Sequence, residues 1–179
     1  MKIVDTFVEN LFTFWYDNSA KDELSLQFSN WKDPEFLFNF FKNNQKDLHQ
    51  KIWRFISTEY AIEKTIRDAL AFENELLDNS DVILKNRFKQ LDDLQTSPLN
   101  LNKSKCYGME TPSWLRLYGL RVDEGVYVIT GGAIKLTHRM AERAHTNIEL
   151  LKLEKGRNFL MKENVFDSDS LVDLIEFHL

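Results

Sequence analysis

Basic and proton-transferring side chains cluster late in this chain of 179 residues. The residues concerned are Lys135, His138, Arg139, Arg143 and His145, with Arg116 and Arg121 shortly before them. Arginine and lysine bind phosphate oxygens, and histidine and lysine can transfer protons. Cleavage of RNA by its own 2′-hydroxyl needs this combination, because the protein must remove one proton, hold the phosphate and protonate the leaving oxygen.

Each side chain in the cluster is given one role. The candidate catalytic residues are Lys135, His138, Arg139 and His145, and the candidate substrate-binding residues are Arg116, Arg121 and Arg143. Strand alternation places Arg116 and Arg121 on opposite faces, so at most one of them faces a shared site. Structural roles are open to all seven, including cross-strand ion pairing, protection of a sheet edge and solvation in a loop.

No metal or cofactor motif accompanies the cluster. Glu142 and Glu149 have no histidine at metal-ligand spacing, and Gly131-Gly132 lacks the GxxxxGK pattern of a phosphate loop. His49 stands alone in the first half of the chain. We therefore expect a site without a metal or an organic cofactor.

Two strands are predicted to present the cluster. Residues 114 to 122 alternate as a strand, Asp123-Glu124-Gly125 is a turn, and residues 125 to 130 form a second strand. Gly131-Gly132 predicts a bulge or a close approach of another segment. The cluster then follows the second strand.

Helices are predicted after the cluster. Thr146 and Glu149 have the spacing of a capping box that opens a helix running to about Lys162. Its predicted buried positions are Ile148, Leu150 or Leu151, Leu153 and Leu160. Ser168 or Asp169 is predicted to cap a last helix.

The first half of the chain is predicted to be mainly helical. Residues 1–17 fit a helix or a hairpin turning at Glu9-Asn10, and their β-branched and aromatic composition favours strands. Asp33-Pro34 predicts a helix start, with Phe36, Leu37, Phe40 and Phe41 buried. A longer helix is predicted after Ser57-Thr58, and a third from Asp81 to Leu94.

Charge divides the chain into two regions. Residues 1–102 hold 12 basic and 17 acidic residues, which accounts for the whole net charge of −5. Residues 103–179 hold 11 of each, and residues 132–162 within them carry a local +4. We therefore predict an acidic, mainly helical region at 1–102 and a sheet with C-terminal helices at 103–179, joined through a loop near 95–112 into one compact unit.

Composition favours a cytoplasmic protein without a membrane partner. Cys106 is the only cysteine, so no intramolecular disulfide can form. Asp5 and Glu9 interrupt the apolar run that a signal peptide would need. No stretch approaches the roughly 20 apolar residues that span a bilayer.

A family resemblance covers about 50 residues of the second half. RLYGLRV (116–122), VYVITGGAIKLT (126–137) and HTNIELLKLEK (145–155) resemble the RelE/ParE toxin superfamily, especially its HigB-like and phage-protein-like branches. The resemblance implies an α+β fold with a small antiparallel sheet and flanking helices. It also implies an endoribonuclease of a toxin–antitoxin system, acting on RNA free or at the ribosome, with an antitoxin or another protein as partner. This chain departs from such toxins in being longer and acidic.

An alternative function rests on the first half. Its acidic and aromatic composition also fits a non-catalytic protein-binding module of a mobile element, phage or toxin–antitoxin context. That half contains no complete set of catalytic residues, which is consistent with a non-catalytic role.

Overall fold

The computed structural model describes residues 1–91 and 101–177 and shows the predicted α+β class. The strands are Lys2–Asp5 (β1), Leu11–Trp15 (β2), Lys89–Gln90 (β3), Asn102–Tyr107 (β4), Leu115–Asp123 (β5) and Val126–Ile134 (β6). The α-helices are Glu23–Lys32 (α1), Pro34–Asn43 (α2), Gln45–Leu48 (α3), Thr58–Asp78 (α4), Ser80–Val82 (α5), Ala144–Lys162 (α6) and Ser168–Phe177 (α7). Short 3₁₀ turns lie at Lys51–Trp53 and Met140–Glu142, and a π-helical turn lies at Ile83–Arg87.

The six strands form one mixed sheet in the order β1-β2-β6-β5-β4-β3. The prediction of a small antiparallel sheet was wrong in this respect, because β2 pairs with β6 in parallel. A parallel pair needs a long connection, and the helices between β2 and β6 supply one. All other neighbouring strands are antiparallel.

The N-terminal segment is the strand hairpin that its composition favoured. β1 pairs antiparallel with β2, and Asn10 adopts a positive φ of 62° at the turn. Asparagine tolerates this left-handed conformation better than most residues. Leu11 and Phe14 of β2 are buried in the core, so the hairpin is an integral part of the sheet.

Helix starts in the first half follow their capping residues. The Asp33 carboxylate accepts hydrogen bonds from the backbone N–H of Glu35 and Phe36, which confirms the predicted start of α2. Ser57 caps α4 in the same way. Leu37 and Phe41 of α2 are fully buried as predicted, whereas Phe36 is partly exposed.

Two predictions around residue 90 were wrong. The helix predicted from Asp81 ends with the π-helical turn, and the chain then enters β3, while residues 92 to 94 lie outside the described residues. β4 lies within the segment predicted to be a loop. Its sequence NKSKCY is too polar to indicate a strand, but its pairing with β5 satisfies its backbone groups.

Two apolar cores lie on opposite faces of the sheet. The first packs α1, α2 and α4 against the sheet, and the second packs α6 and α7 against the other face. Trp114 belongs to the first core, with its ring centroid 5.6 Å from that of Phe41 and 5.1 Å from that of Trp53. This core therefore includes residues from both halves of the chain.

Strand β6 is buried along its whole length, with α1 on one face and α6 on the other. The predicted irregularity at Gly131-Gly132 is present, because the pairing with β5 shifts by one residue beside Thr130. A Cβ at Gly131 would lie 1.9 Å from Glu149 Oε2, and one at Gly132 would lie 2.9 Å from the Arg116 carbonyl oxygen. Glycine is thus required for the helices to approach this closely.

Helix α6 starts earlier than predicted and turns a different face inward. Arg143 precedes its first residue, and Thr146 lies inside the helix, where its hydroxyl donates to the Met140 and Arg143 carbonyl oxygens. The capping-box prediction was therefore wrong, although the helix ends at Lys162 as expected. Leu153 and Leu160 are buried, whereas Ile148 and Leu151 are exposed, since the inward face carries Thr146, Glu149 and Gly156.

The last helix is capped one residue earlier than predicted. The Asp167 carboxylate accepts a hydrogen bond of 2.9 Å from the Ser170 backbone N–H. This is the bond that an N-cap side chain makes.

Across the part of the chain that the structure describes, no helix is long and apolar enough to cross a membrane.

We expect Gly132→Ala to destabilise the protein by about 2–3 kcal/mol, because the new methyl group would press on the Arg116 carbonyl and on Trp31. Gly125→Ala is the matched control: a Cβ there would make only ordinary contact with the Lys85 side chain at 3.4 Å, and the positive φ of 71° opposes alanine by about 1 kcal/mol. Urea unfolding of both variants measures the difference. A Gly132→Ala protein within about 0.5 kcal/mol of wild type would contradict the packing described for β6.

Candidate functional site

A cleft lies at the end of the sheet where β4 ends, β5 begins and β6 leaves the sheet. It has two adjoining lobes with volumes of about 520 and 390 Å³. Both lobes are lined by Lys105, Tyr107, Arg116, Lys135 and His138. We call these five residues the shared wall of the cleft.

Strand pairing brings the shared wall together. Lys105 of β4 lies opposite Tyr118 of β5, and Tyr107 lies opposite Arg116. Residues two apart on a strand share a face, so these four side chains form one patch on the sheet. Lys135 joins the patch through its backbone N–H, which donates to the Trp114 carbonyl oxygen at 2.8 Å.

Arg116 is held rigidly in the wall. Its guanidinium carbon lies 3.7 Å from the centre of the Tyr107 ring, a cation–π contact. Its Nη1 donates to the Ser113 and Leu115 carbonyl oxygens at 2.8 and 2.7 Å. Burial lowers the pKa of Arg116, but an arginine remains charged throughout the physiological range.

Lys135 is a half-buried cation among other cations. Its ammonium donates to the Thr137 and His138 carbonyl oxygens at 2.8 and 2.5 Å. Burial lowers its pKa, and the nearby charges of Arg116 and Lys105 lower it further. Within the described ranges, none of these three cations forms an ion pair.

The rim of the cleft is the loop that follows β6, and it carries exposed His138 and Arg139. The Arg139 backbone N–H donates to Glu142 Oε1 at 2.6 Å. Farther along, two guanidinium nitrogens of Arg143 donate to the two oxygens of buried Asp47, at 2.8 and 2.5 Å. Trp53 Nε1 donates to the Leu136 carbonyl oxygen at 2.8 Å. Both ends of the loop are therefore attached to helical segments in the first half of the chain.

The opposite wall is the turn from Gly108 to Ser113, which is organised by the buried carboxylate of Asp68. That carboxylate accepts hydrogen bonds from the backbone N–H of Met109 and Glu110 at 2.6 and 2.9 Å, and from the Ser113 hydroxyl at 2.5 Å. A Cβ at Gly108 would lie 2.4 Å from the Ser113 hydroxyl oxygen. No sequence pattern marks Asp68, because its partners are more than 40 positions away.

The cleft is strongly basic. Besides the shared wall, Arg87 lines one lobe and Arg139 the other. Among the described residues that line the two lobes, Glu110 is the one acidic residue, and it is engaged by Lys64 and Arg67 at 2.6 and 2.5 Å. The net positive charge of the cleft contrasts with the net −5 of the chain.

The structure brings four of the seven sequence-predicted site residues to this cleft: Arg116, Lys135, His138 and Arg139. The other three lie elsewhere. Arg143 pairs with Asp47, and His145 Nε2 lies 3.0 Å from the Ile134 carbonyl oxygen with its ring edge-on to Phe40. Arg121 bonds the Asp123 carbonyl oxygen and lies two positions beyond Gly119 on the other face of β5.

Sequence reasoning missed four residues that line the cleft: Arg87, Lys105, Tyr107 and Tyr118. Lys105 and Tyr107 lie in β4, whose polar sequence gives no clear strand signal. Arg87 enters from the π-helical turn, and only the folded chain brings it there.

Comparison of this chain with protein-family models, curated proteins and solved structures finds no match. The resemblance to RelE/ParE toxins therefore stays a prediction. Among residues 1–91 and 101–177, no three His, Cys, Asp or Glu side chains are grouped as metal ligands would be. Cys106 is buried, and burial raises the pKa of its thiol to about 12.

A second polar cluster is buried between α1 and α6, away from the rim of the cleft. Lys152 Nζ lies 2.8 Å from Glu23 Oε2 and 3.2 Å from Glu149 Oε1. Burial raises the pKa of Glu149 to about 7, and the Lys152 charge opposes that rise only in part. Glu149 thus takes up its proton near neutral pH.

This raised pKa predicts a pH-dependent stability. Glu149 binds its proton more tightly in the folded protein than in the unfolded chain. Its contribution to the free energy of unfolding is therefore complete below about pH 4.5 and is lost as the pH rises through about 7. The shift corresponds to about 3 kcal/mol. Glutamine does not ionise, so we expect Glu149→Gln to keep its stability as the pH rises and to be more stable than wild type at pH 8.

Urea unfolding between pH 5 and 8 measures this effect. Glu154→Gln is the matched control on the same helix, since the Lys103 ammonium lowers the pKa of Glu154 and that carboxylate stays charged across the range. Identical pH profiles for wild type and Glu149→Gln would contradict the prediction.

Proposed function

We propose that this protein binds RNA in the basic cleft and cleaves it without a metal ion. The observation that carries the proposal is the placement of Lys105, Arg116 and Lys135 side by side on one sheet face, with no carboxylate paired to them among the described residues. Like charges held together raise the free energy of the empty cleft. A polyanion lowers it, and a phosphodiester backbone supplies regularly spaced negative charge.

Other lysines and arginines differ from those of the shared wall in having carboxylate partners, which supports the proposal. Lys32, Lys64, Lys103, Arg143 and Lys152 each lie within 4 Å of a carboxylate oxygen. These five cations are partly or fully buried, and each is neutralised in place. The cations of the shared wall are also partly buried but have no such partner among the described residues, which favours an external anion as the group they bind.

Tyr107 favours single-stranded RNA as the form recognised. Its ring is 38% exposed beside Arg116 at the mouth of the cleft. Aromatic rings and guanidinium planes stack on unpaired bases, while neighbouring cations follow the backbone. The RelE/ParE resemblance of residues 116–155 points to the same substrate class.

The proposed cleavage step assigns one role to each group. Lys105 and Arg116 hold the nonbridging phosphate oxygens. Lys135, whose lowered pKa favours its neutral amine form, accepts the 2′-hydroxyl proton in that form as the 2′-oxygen bonds to phosphorus. The bond from phosphorus to the 5′-oxygen breaks, and His138 supplies the proton to that oxygen. The products are a 2′,3′-cyclic phosphate and a 5′-hydroxyl.

Binding is tested with a charge-matched pair of variants. We expect Lys105→Gln, Lys135→Gln and Arg139→Gln together to weaken binding of a single-stranded RNA by about 100-fold at low salt. The control combines Lys46→Gln, Lys51→Gln and Lys162→Gln, which removes the same charge from exposed sites outside the cleft. Fluorescence anisotropy over a salt series measures both. The slope of log K against log salt should fall by about 2 in the cleft variant alone, and equal losses in the two variants would refute the site.

Cleavage is tested with RNA that carries a single 2′-deoxy nucleotide. Wild type should cut the all-ribose strand, either free in the presence of EDTA or on ribosomes in a magnesium buffer, and should not cut at the deoxy position. A variant with Lys135→Ala, His138→Ala and Arg139→Ala should leave the RNA intact and relieve growth inhibition in a bacterial host. If wild type and this variant leave transcripts equally intact, the proposal of catalysis fails.

A further inference from the structure

The N-terminal hairpin holds an aromatic ring in water. Phe7 lies in the turn between β1 and β2, and its side chain is fully exposed, whereas the next residue, Val8, is buried in the core that α1 and α4 also form. Apolar burial stabilises a protein in proportion to the area removed from water. The Phe7 ring therefore contributes almost nothing to folding by burial.

Phe7 is part of an apolar groove between the hairpin, α1 and the C-terminal end of α4, which we call the hairpin groove. Its apolar lining residues are Phe7, Val8, Leu24, Phe28, Leu76 and Leu77. Leu77 of α4 is also exposed. The groove has a volume of about 200 Å³, which is less than the roughly 300–1,000 Å³ of pockets for small molecules. This size suits one large side chain, the usual anchor of a protein–protein contact.

Charge around the hairpin groove has one sign. Among the described residues that line it, the charged ones are Asp5, Asp22 and Glu73. Two of these carboxylates have partners in the fold: Asp22 accepts the Ser25 backbone N–H at the start of α1, and Glu73 lies 2.6 Å from the Lys32 ammonium. Asp5 is exposed and forms no ion pair within the described ranges. The groove therefore has an unpaired carboxylate beside its apolar surface.

The end of α4 strengthens this negative potential. A helix carries partial negative charge at its C-terminus, where lysine or arginine usually stabilises the last turn. The last turn of α4 has no basic residue. It carries exposed Glu75 and Asp78 instead, next to Leu76 and Leu77 of the groove. A cation supplied by another molecule would stabilise this helix end.

We propose that the hairpin groove binds a basic segment of a partner protein, with a large apolar side chain of that segment inserted in the groove and its lysines or arginines next to Asp5 and the end of α4. This inference is independent of the proposed RNA cleavage, because the residues that line the groove are not those that line the cleft. A second copy bound groove to groove would bring carboxylates against carboxylates. Charge therefore favours a different chain as the partner.

Selection from a phage-displayed library of random short peptides tests the chemistry of the partner. The full chain is the bait, in the form that carries Lys105→Gln, Lys135→Gln and Arg139→Gln, so that the basic cleft does not select acidic peptides. We expect the selected peptides to combine lysine or arginine with leucine, phenylalanine or tryptophan. Selection of no peptide, or of peptides without basic residues, would overturn the proposal.

The strongest selected peptide is then synthesised, and its affinity is measured by fluorescence anisotropy. We expect Phe7→Ser with Leu77→Ser to weaken its binding at least about tenfold, since both side chains would contact the anchor. Asp5→Asn should weaken binding severalfold and reduce its salt dependence. All three side chains are exposed in the free protein, so the unfolding midpoints should stay close to that of wild type.

Phe38→Ser with Leu151→Ser is the matched control, because it removes two exposed apolar side chains that do not line the groove. This variant should bind the peptide as wild type does. Equal affinities for the groove variant and wild type would show that the peptide binds elsewhere and would overturn the site. Sedimentation of the free protein tests the remaining occupant: self-association that Phe7→Ser abolishes would make the partner a second copy, and the basic partner would be wrong.

Discussion

Burial of β6 on both faces is the constraint on which the rest of this structure depends. The strand lies between α1 and α6, and neither helix could approach it as closely if residues 131 and 132 carried side chains. The space they leave admits Glu149 from one side and Trp31 from the other. Because the N-terminal hairpin also pairs with β6, this one strand joins the first and last thirds of the chain.

The cleft lies over the part of the sheet that α6 does not cover. The helix packs on β6 and on part of β5, and the sheet extends past it to β4. Side chains on that uncovered strip cannot enter an apolar core, so Lys105, Tyr107 and Arg116 face the cleft. Two buried carboxylates then set its borders from the helical layer: Asp68 organises the turn between β4 and β5, and Asp47 fastens the loop after β6 through Arg143.

Ion pairing differs between two groups of partly buried cations among the described residues. Cations with structural roles have carboxylate partners, as Lys152 has in Glu23, whereas the cations of the shared wall are placed next to each other. Placing like charges together opposes folding unless a ligand bears the opposite charge.

Local chemistry in the sequence determined much of this protein: the strand hairpin at its start, the helix caps at Asp33 and Ser57, the turn at Gly125 and the irregularity at Gly131-Gly132. Each of these features depends on residues that are close in the sequence, so a short sequence pattern is enough to predict it. The sequence also indicated Arg116, Lys135, His138 and Arg139, since they lie within or shortly after the two predicted strands.

Only the tertiary structure decided which basic residues share a cleft. Arg143 and His145 follow His138 in the same short segment of the sequence, but the start of α6 at Ala144 turns them toward the helical layer and its partners Phe40 and Asp47. Lys105 and Tyr118 meet through strand register, and Asp68 acts across more than 40 positions. Such contacts depend on how layers pack, and a pattern among neighbouring residues does not specify which layers meet.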